Sequence, residues 1–287
     1  MSEFPTIHAG LAGTIDVAGD LTVNRLGFGA MRVTGAGIWG PPADRDEAKA
    51  VLRRAVELGT NFIDTADSYG PHISEELIHE ALHPYPGDLV IATKGGLERT
   101  GPGQWPANGR PEHLLEACEG SLRRLDLDQI PLYQFHRPDP TVPLEDSIGA
   151  LVTLKEQGKV RHIGLSNVTE DQLRRAQRLT AIVSIQNRYN VDDRRSESLV
   201  DLCEQEQMVF LPWAPIQNLD RNRTVQQLAQ RYEASPRQIV LAWLLARSPS
   251  ILSIPGTGSV SHLENNVAAA VISLTPAEVA SLTDNIG

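Results

Sequence analysis

The chain has 287 residues, 41% of them hydrophobic, and a formal net charge of −10 at pH 7. This length suits a single domain over residues 1–287, and the negative charge argues against a general nucleic-acid binder or a protein that binds anionic membranes. The two cysteines cannot build a disulfide framework or a zinc knuckle. Because the N-terminus lacks a signal-peptide pattern and no apolar run is long enough to cross a bilayer, we expect a cytoplasmic protein.

Short apolar runs that predict β-strands recur along the chain. Residues 5–24 alternate loosely around three glycines, which predicts a β-hairpin ahead of the main fold. Eight strand candidates follow the hairpin, and they are Arg25–Gly29, Phe62–Asp64, Leu89–Thr93, Leu132–Phe135, His162–Leu165, Ile182–Gln186, Val209–Trp213 and Ile251–Ile254.

Amphipathic segments with helix-start signals separate these strands. In five places a capping residue precedes Glu or Gln by three positions, which is the pattern of a helix N-terminus. At the first of these helices Gly59 can end the helix. The five pairs are Asp44 with Glu47, Thr169 with Gln172, Ser235 with Gln238, Ser261 with Glu264, and Thr275 with Glu278.

A strand followed by a helix, eight times in succession, predicts a parallel sheet. Eight units in this length favour closure into a (β/α)8 barrel, with the hairpin added at the N-terminus. The alternative is an open doubly wound sheet, which would favour a Gly-rich phosphate loop after the first strand. The segment Gly27–Met31 lacks the third glycine of that motif, so we interpret it as a tight turn.

Polar residues stand where three consecutive strands end. Asp64 ends the second strand, Lys94 follows the third, and His136 follows the fourth, while Tyr69 lies five residues beyond Asp64. In a barrel these strand ends meet at one rim, so we expect the four side chains to lie together. Each residue alone could be structural, as a cap, a solvated charge or a packed ring.

Together the four residues suit proton transfer to a carbonyl oxygen. A free phenol has a pKa near 10, and a neighbouring ammonium favours the phenolate, so we expect Lys94 to lower the pKa of Tyr69. Asp64 would hold Lys94 charged and oriented, and His136 could donate a hydrogen bond to the substrate oxygen.

Four motifs resemble those of the aldo-keto reductase family. Asp64–Gly70 is similar to the family's Asp-Thr-Ala-x-x-Tyr-Gly signature, and Leu132–Pro138 resembles its fourth strand, which ends in His. Gly158–Asn167 resembles its Gly-Lys-x-Arg-x-Ile-Gly-x-Ser-Asn motif, and Ile254–Asn266 resembles its C-terminal cofactor segment. The resemblance runs from about Leu26 to Leu282, nearly the whole chain.

The resemblance implies a (β/α)8 barrel whose bottom the hairpin closes, and reduction of aldehydes or ketones by direct hydride transfer from NADPH without a metal. It makes Tyr69 the general acid, supported by Asp64, Lys94 and His136. It also implies an aromatic stack of Trp213 on the nicotinamide. The residues implied for cofactor binding are Gly29, Ala30, Met31, Asp64, Ser166, Asn167, Gln186, Trp213, Pro215, Gly256, Thr257, Gly258, Ser259, His262, Asn265 and Asn266.

Two positions depart from the family's pattern. Many members carry a Lys and an Arg where this chain has Gly256 and His262, and those two charges clamp the 2′-phosphate of NADP. The helix that follows can still bind a phosphate through its backbone N–H groups, so we expect NADPH, with NADH as the alternative. The loop after the seventh strand, from Ile216 to Asp220, is short, which implies less cover over the pyrophosphate.

The expected substrate is a small carbonyl compound. The residues we expect to contact it are Trp39, Tyr69, His136 and Arg137, and weaker similarity to pyridoxal reductases favours pyridoxal or another aromatic aldehyde. Two alternatives remain open. The first is a non-catalytic redox sensor that binds nicotinamide nucleotide, and the second is a lyase that uses Lys94 as a Schiff base.

Overall fold

A computed structural model describes residues 7–216 and 222–284 of the chain. Two residues of the predicted hairpin segment, 5 and 6, lie outside this range. So does most of the loop predicted after the seventh strand, from Gln217 to Asp220. Among the described residues, no helix is both long enough and apolar enough to span a bilayer.

The described residues form nine strands and ten α-helices. The strands are β1 (Thr14–Val17), β2 (Leu21–Asn24), β3 (Phe28–Gly29), β4 (Phe62–Asp64), β5 (Val90–Gly95), β6 (Ile130–Phe135), β7 (Val160–Ser166), β8 (Ile182–Gln186) and β9 (Val209–Phe210). The helices are α1 (Arg45–Glu57), α2 (Ile73–Leu82), α3 (Pro111–Leu125), α4 (Leu144–Glu156), α5 (Glu170–Gln177), α6 (Glu197–Gln205), α7 (Arg223–Arg231), α8 (Pro236–Arg247), α9 (Val260–Val267) and α10 (Pro276–Asp284).

Strands β3 to β9 make one parallel sheet whose strands pair in chain order. The segment after α8 closes this sheet on itself. Ile251 bridges to Phe210 on one side and Ser253 bridges to Leu26 on the other, both in parallel register. The backbone N–H of Gly27 donates to the Ser253 carbonyl at 2.8 Å. The fold is therefore a (β/α)8 barrel, as the sequence predicts.

Some strand boundaries differ from the predicted ones. The seventh predicted strand, Val209–Trp213, ends at Phe210, and Trp213 forms only an isolated bridge with Arg188. The eighth predicted strand, Ile251–Ile254, forms no regular strand and pairs with its two neighbours through isolated bridges. Lys94 lies within β5 and not beyond it.

The hairpin of β1 and β2 lies across the amino ends of the barrel strands. Asn24, which pairs with Thr14 in the hairpin, donates from its side chain to the Gly59 carbonyl at 2.6 Å, just before β4. Val17 and Val23 pack with the apolar side chains inside the barrel, such as Phe62 and Leu132. This contact buries the lower end of the barrel interior, so the prediction that the hairpin closes the bottom of the barrel is confirmed.

Helix caps follow the predicted pairs at four of five places. The Asp44 carboxylate accepts from the Glu47 N–H at 2.9 Å, and Gly59 ends α1 with a φ of 82°. Reciprocal capping boxes occur at α5, α8 and α10. The prediction at Ser261 was wrong, because α9 begins two residues earlier with Ser259 as its N-cap.

Candidate active site

The carboxyl ends of the barrel strands surround a cleft of about 390 Å³. Asp64 is the last residue of β4, Ser166 of β7 and Gln186 of β8, while His136 directly follows β6. Parallel strands place these ends at one rim, which is why residues far apart in sequence meet there. The cleft is lined by Gly29, Met31, Arg32, Ile38, Asp64, Tyr69, Leu97, Trp105, His136, Arg137, Ser166, Asn167, Gln186, Trp213, Ala214, Pro215, Ile216, Ile254 and Gly256.

Lys94 lies at the base of the cleft and is completely buried. Its Nζ donates to Asp64 Oδ2 at 2.7 Å, to the Thr65 carbonyl at 2.8 Å and to the Tyr69 hydroxyl at 3.4 Å. A buried ammonium needs such partners to remain charged. Burial lowers the pKa of Lys94, but Asp64 and Tyr69 outweigh burial and hold the pKa above its usual value. Lys94 is thus a charged donor and a poor Schiff-base nucleophile.

The second carboxylate oxygen of Asp64 is also occupied. Oδ1 accepts from Gln134 Nε2 at 2.9 Å and from Gln186 Nε2 at 2.8 Å. Sequence reasoning missed Gln134, although it lies two residues before His136 and therefore on the same face of β6. With hydrogen bonds to both oxygens, the Asp64 carboxyl group is held in one orientation and in turn orients Lys94.

The pKa of Tyr69 is shifted in the direction opposite to the predicted one. Burial raises the pKa above its usual value of 10, and the opposing effect of the Lys94 ammonium does not offset burial. The expectation of a lowered pKa was wrong because the sequence does not reveal how completely water is excluded from this phenol. Tyr69 is consequently a neutral phenol at neutral pH, which is the form that can give up a proton.

His136 lies beside Tyr69, with ring centroids 5.8 Å apart and an edge-on geometry. Its Nδ1 lies 3.4 Å from the Ser68 hydroxyl. Burial and the nearby charges of Lys94 and Arg137 hold the pKa of His136 well below its usual value. A neutral imidazole at this point can donate one hydrogen bond into the cleft without adding a charge.

A hydrogen-bonded row of polar side chains lines the opposite wall. Ser166 Oγ donates to the Gln186 carbonyl at 2.8 Å, and Asn167 Nδ2 donates to Ser166 Oγ at 3.0 Å. Trp213 Nε1 in turn donates to Asn167 Oδ1 at 3.0 Å. Asn167 has a φ of 58°, a left-handed conformation that asparagine tolerates better than most residues. The row is therefore rigid and offers amide groups and an indole face to a planar ligand.

Two glycines bring backbone segments from opposite ends of the chain into contact at the edge of the cleft. A Cβ on Gly29 would lie 2.7 Å from the Ile254 carbonyl oxygen, and one on Gly256 would lie 2.3 Å from the Gly29 oxygen. Only glycine permits this approach. The next residue, Ala30, is fully buried behind the cleft, and its carbonyl accepts from Ser74 Oγ at 3.1 Å.

Several predicted cofactor residues lie around the start of α9, outside the cleft itself. Thr257 is buried, Gly258 and His262 are exposed, and Ser259 is the N-cap. Asn265 Oδ1 accepts from Ser235 Oγ at 2.7 Å, which ties α9 to the cap of α8. Asn266 is buried, and its Oδ1 has no hydrogen-bond partner among the described residues.

An arginine that sequence reasoning did not assign to the site organises the cleft mouth. Arg99 donates to the carbonyls of Ile38, Ser68 and Gln104, at 2.7, 2.9 and 3.0 Å. Its guanidinium lies 3.5 Å from the Trp105 ring centroid and 5.5 Å from that of Trp39. Trp39 therefore packs on Arg99 at the mouth and is not among the residues that line the cleft, so its predicted contact with the substrate stays a prediction.

The wall above Tyr69 is aromatic and apolar. Trp105 stands edge-on to Tyr69, with ring centroids 6.4 Å apart, and Ile38 and Leu97 line the same region. The Gly- and Pro-rich composition of residues 97–108 gave a signal for a functional loop, but no local pattern identified which side chain faces inward. The opening is thus bordered by a flat ring that suits a planar ligand.

Comparisons with known proteins agree with this geometry. The model of the Aldo/keto reductase family matches residues 25–286. An uncharacterized oxidoreductase of Schizosaccharomyces pombe is 47% identical over 97% of this chain and 91% of its own length. Pyridoxine 4-dehydrogenase of Escherichia coli is 42% identical over 93% of this chain and 96% of its own. The crystal structure of an aldo/keto reductase from Klebsiella pneumoniae with NADP and acetate superposes with a TM-score of 0.78, at 26% identity and 94% coverage of both chains.

Proposed function

The chain belongs to the aldo/keto reductase family, and we propose that it reduces a carbonyl compound to an alcohol with Tyr69 as the general acid. Enzymes of this family are NADP-dependent oxidoreductases that act on small carbonyl substrates. The observation that carries the proposal is the buried contact of Lys94 with Asp64 and Tyr69 at the floor of the cleft. No other cluster at the rim combines a neutral acid with a fixed cation, among the residues described.

The cleft fits a nicotinamide nucleotide. Gly29 and Gly256 line the cleft where two backbone segments pack too closely for any side chain, and the row from Ser166 to Trp213 supplies amide groups and an indole face. Bound NADPH would supply the hydride. The K. pneumoniae relative crystallised with NADP supports this choice of cofactor.

Side chains of the protein donate the proton and stabilise the phenolate that remains. Tyr69 gives its hydroxyl proton to the substrate oxygen as negative charge develops there, and the Lys94 ammonium stabilises the phenolate that forms. His136 donates a second hydrogen bond to the same oxygen. Because the groups are buried and preorganised, their electrostatic effect is larger than it would be in water.

For the substrate we propose pyridoxal or a similar aromatic aldehyde. Trp105 and Leu97 form an apolar wall beside Tyr69, and Arg137 adds a polar edge to the cleft. The 42% identity with E. coli pyridoxine 4-dehydrogenase supports the same assignment. NADPH is the expected cofactor even though Gly256 and His262 supply no fixed positive charge for the 2′-phosphate.

The test is a comparison of NADPH and NADH consumption across pyridoxal, benzaldehyde and a short aliphatic aldehyde. We expect turnover with all carbonyl classes and the highest kcat/KM for the aromatic ones with NADPH. Preference for the aliphatic aldehyde would refute the substrate assignment and leave the reaction class intact. Cofactor binding without turnover on any carbonyl would favour the non-catalytic redox sensor.

A further inference from the structure

Two histidines and an aspartate meet at the far side of the barrel from Tyr69. His79 lies in the last turn of α2, and His83, four residues later, is the C-cap of this helix. Asp126 directly follows α3. One ligand atom from each of the three lies within 4.8 Å of the other two. None of these residues takes part in the chemistry proposed above.

The topology separates this cluster from the active site. Helices α2 and α3 each begin near the carboxyl end of a barrel strand and end near the amino end of the next, at Val90 and Ile130 respectively. Tyr69 follows the carboxyl end of β4. A ligand bound at the helix ends would accordingly not touch the cleft.

The distances match a transition-metal site. Zinc binds imidazole nitrogen and carboxylate oxygen at about 2.0–2.2 Å, so two ligand atoms of a tetrahedral ion lie about 3.4 Å apart. The distance from His83 Nε2 to Asp126 Oδ2 is 3.4 Å. All three ligand atoms lie within 4.8 Å of one another, so no pair exceeds the tetrahedral separation by more than about 1.4 Å, and the exposed carboxylate of Asp126 can adjust by a rotation of its side chain.

A left-handed backbone conformation positions Asp126, and an aromatic contact positions His83. Asp126 has a φ of 51°, the left-handed conformation that ends α3 and turns its side chain back toward α2. Tyr85 packs edge-on against His83 with ring centroids 5.3 Å apart, and its hydroxyl donates to the Leu125 carbonyl at 2.7 Å. Tyr85 restricts the His83 ring before any ion arrives, which reduces the entropic cost of ordering this ligand.

A ring nitrogen of His79 supports ligand binding at this cluster. His79 Nδ1 is buried and has no hydrogen-bond partner among the described residues. A buried ring nitrogen without a partner is uncommon in a stable protein, and it marks a place where an unobserved ion or water can bind. The His79 and His83 rings lie 4.7 Å apart at an angle of 35°, and one nitrogen of each lies within 4.8 Å of the other and of an Asp126 oxygen.

We propose that His79, His83 and Asp126 bind one divalent transition-metal ion, with zinc as the favoured species. Two imidazoles and one carboxylate suit Zn²⁺ better than Mg²⁺, which prefers six oxygen ligands and retains its water. Water completes the fourth position. The ion links the end of α2 to the end of α3, so its effect is on stability and not on catalysis.

The experiment is a titration of tag-free protein with Zn²⁺ by isothermal calorimetry, combined with thermal unfolding. We expect one site per chain and, at about 100 times Kd, a rise in Tm of about 5 °C. His83→Gln and Asp126→Asn should each raise the Kd for zinc at least about tenfold. Loss of a residue that only hydrogen-bonds to a metal ligand already lowers metal affinity by that much, and loss of a ligand itself should cost at least as much affinity. Mg²⁺ should produce no heat of binding and no change in Tm.

His113→Gln is the matched control, since it removes a histidine from the opposite end of α3 and should keep wild-type zinc affinity. Each variant is compared with itself in the presence and absence of zinc, so a general loss of stability does not obscure the result. Turnover of the aldehyde substrate should not change with zinc. The proposal would be overturned if wild-type protein bound no zinc at concentrations up to about 100 μM. It would also be overturned if His83→Gln bound zinc as tightly as wild type.

Discussion

At Tyr69 two effects oppose each other on one hydroxyl. Burial favours the neutral phenol, and the Lys94 ammonium 3.4 Å away favours the phenolate. The neutral form prevails before reaction, yet the cation is already in position to stabilise the anion that proton transfer creates. The same pair therefore serves both states of the acid.

Replacing Tyr69 with Phe removes the proton donor and keeps the ring. We expect kcat for aldehyde reduction to fall by at least about two orders of magnitude, the lower range for a general acid. NADPH affinity, measured by quenching of tryptophan fluorescence, should remain within about twofold, because the row from Ser166 to Trp213 is untouched. Wild-type turnover by the variant would remove Tyr69 from its proposed role.

The pH dependence of the reduction follows from the same residue. A general acid works while it is protonated, and the pKa of Tyr69 is raised above its usual value of 10 by burial. The midpoint of any loss of kcat with rising pH should therefore lie above pH 10, and the profile between pH 6 and 9 should be flat. Because burial also holds the pKa of His136 well below its usual value, this ring adds no step in that range. A decline centred near pH 8, in stopped-flow measurements of the hydride step, would contradict this account.

Sequence patterns predicted that four residues lie together, because Asp64, Lys94 and His136 stand at strand ends and Tyr69 lies in the loop that follows Asp64. They did not identify Gln134, whose role depends on Asp64 having a second oxygen that needs donors. They also gave the wrong direction for the pKa of Tyr69, since the balance of burial against charge depends on the packing of distant segments.

At the scale of elements, the mouth of the cleft is held together by one side chain. Arg99 joins three loops by donating to carbonyls at Ile38, Ser68 and Gln104 while its guanidinium stacks on Trp105. Hydrogen bonds from a charged donor contribute about 1.5–3 kcal/mol each before strain and entropy are counted. The position of Trp105 beside Tyr69 thus depends on Arg99.

Arg99→Met should loosen this aromatic wall. We expect KM for an aromatic aldehyde to rise about tenfold, which corresponds to about 1.4 kcal/mol, with a smaller change for a short aliphatic aldehyde that does not reach Trp105. Arg110→Met is the control, because Arg110 belongs to the same connection and its side chain is 67% exposed. Steady-state kinetics on both substrates separates the outcomes, and equal losses on the two aldehydes would show that Arg99 does not act through the wall.

The sequence predicted the helices and strands on either side of these loops, but it did not predict the contacts between one loop and another. Capping pairs gave the starts of α1, α5, α8 and α10 because those signals are local. At α9 the local pattern was misleading, since Glu47 from another helix accepts from the Val260 N–H at 3.2 Å and α9 begins there. Contacts between segments far apart in sequence have no local signature.

For the whole molecule, closure of the barrel depends on a seam between its first and last strand positions. Arg25 spans this seam, and its guanidinium donates to the carbonyls of Leu245, Ser248 and Ile251 at 2.8, 2.5 and 3.2 Å. The regular alternation of strands and helices was enough to predict the barrel. It could not predict the strand lengths at the seam, where isolated bridges replace a continuous ladder.

Arg25→Met should weaken the seam by leaving these carbonyls without their donor. We expect the free energy of unfolding to fall by about 1–3 kcal/mol, the cost of unsatisfied buried groups, as measured by urea denaturation. Arg178→Met, at an exposed position after α5, should stay within about 0.5 kcal/mol of wild type. Equal stability of the two variants would mean that the seam is held by its backbone contacts alone.

The same seam has a consequence for the timing of biosynthesis. Arg25 and its partner Ile251 are 226 residues apart in sequence, and Gly29 meets Gly256 at the edge of the cleft beside them. At about 5–20 residues per second, a ribosome needs roughly 10–45 s to make the second half of this seam after the first. The nascent chain therefore carries Tyr69 and Lys94 long before Gly256 is made, and the cleft can be completed only when this late segment joins the barrel.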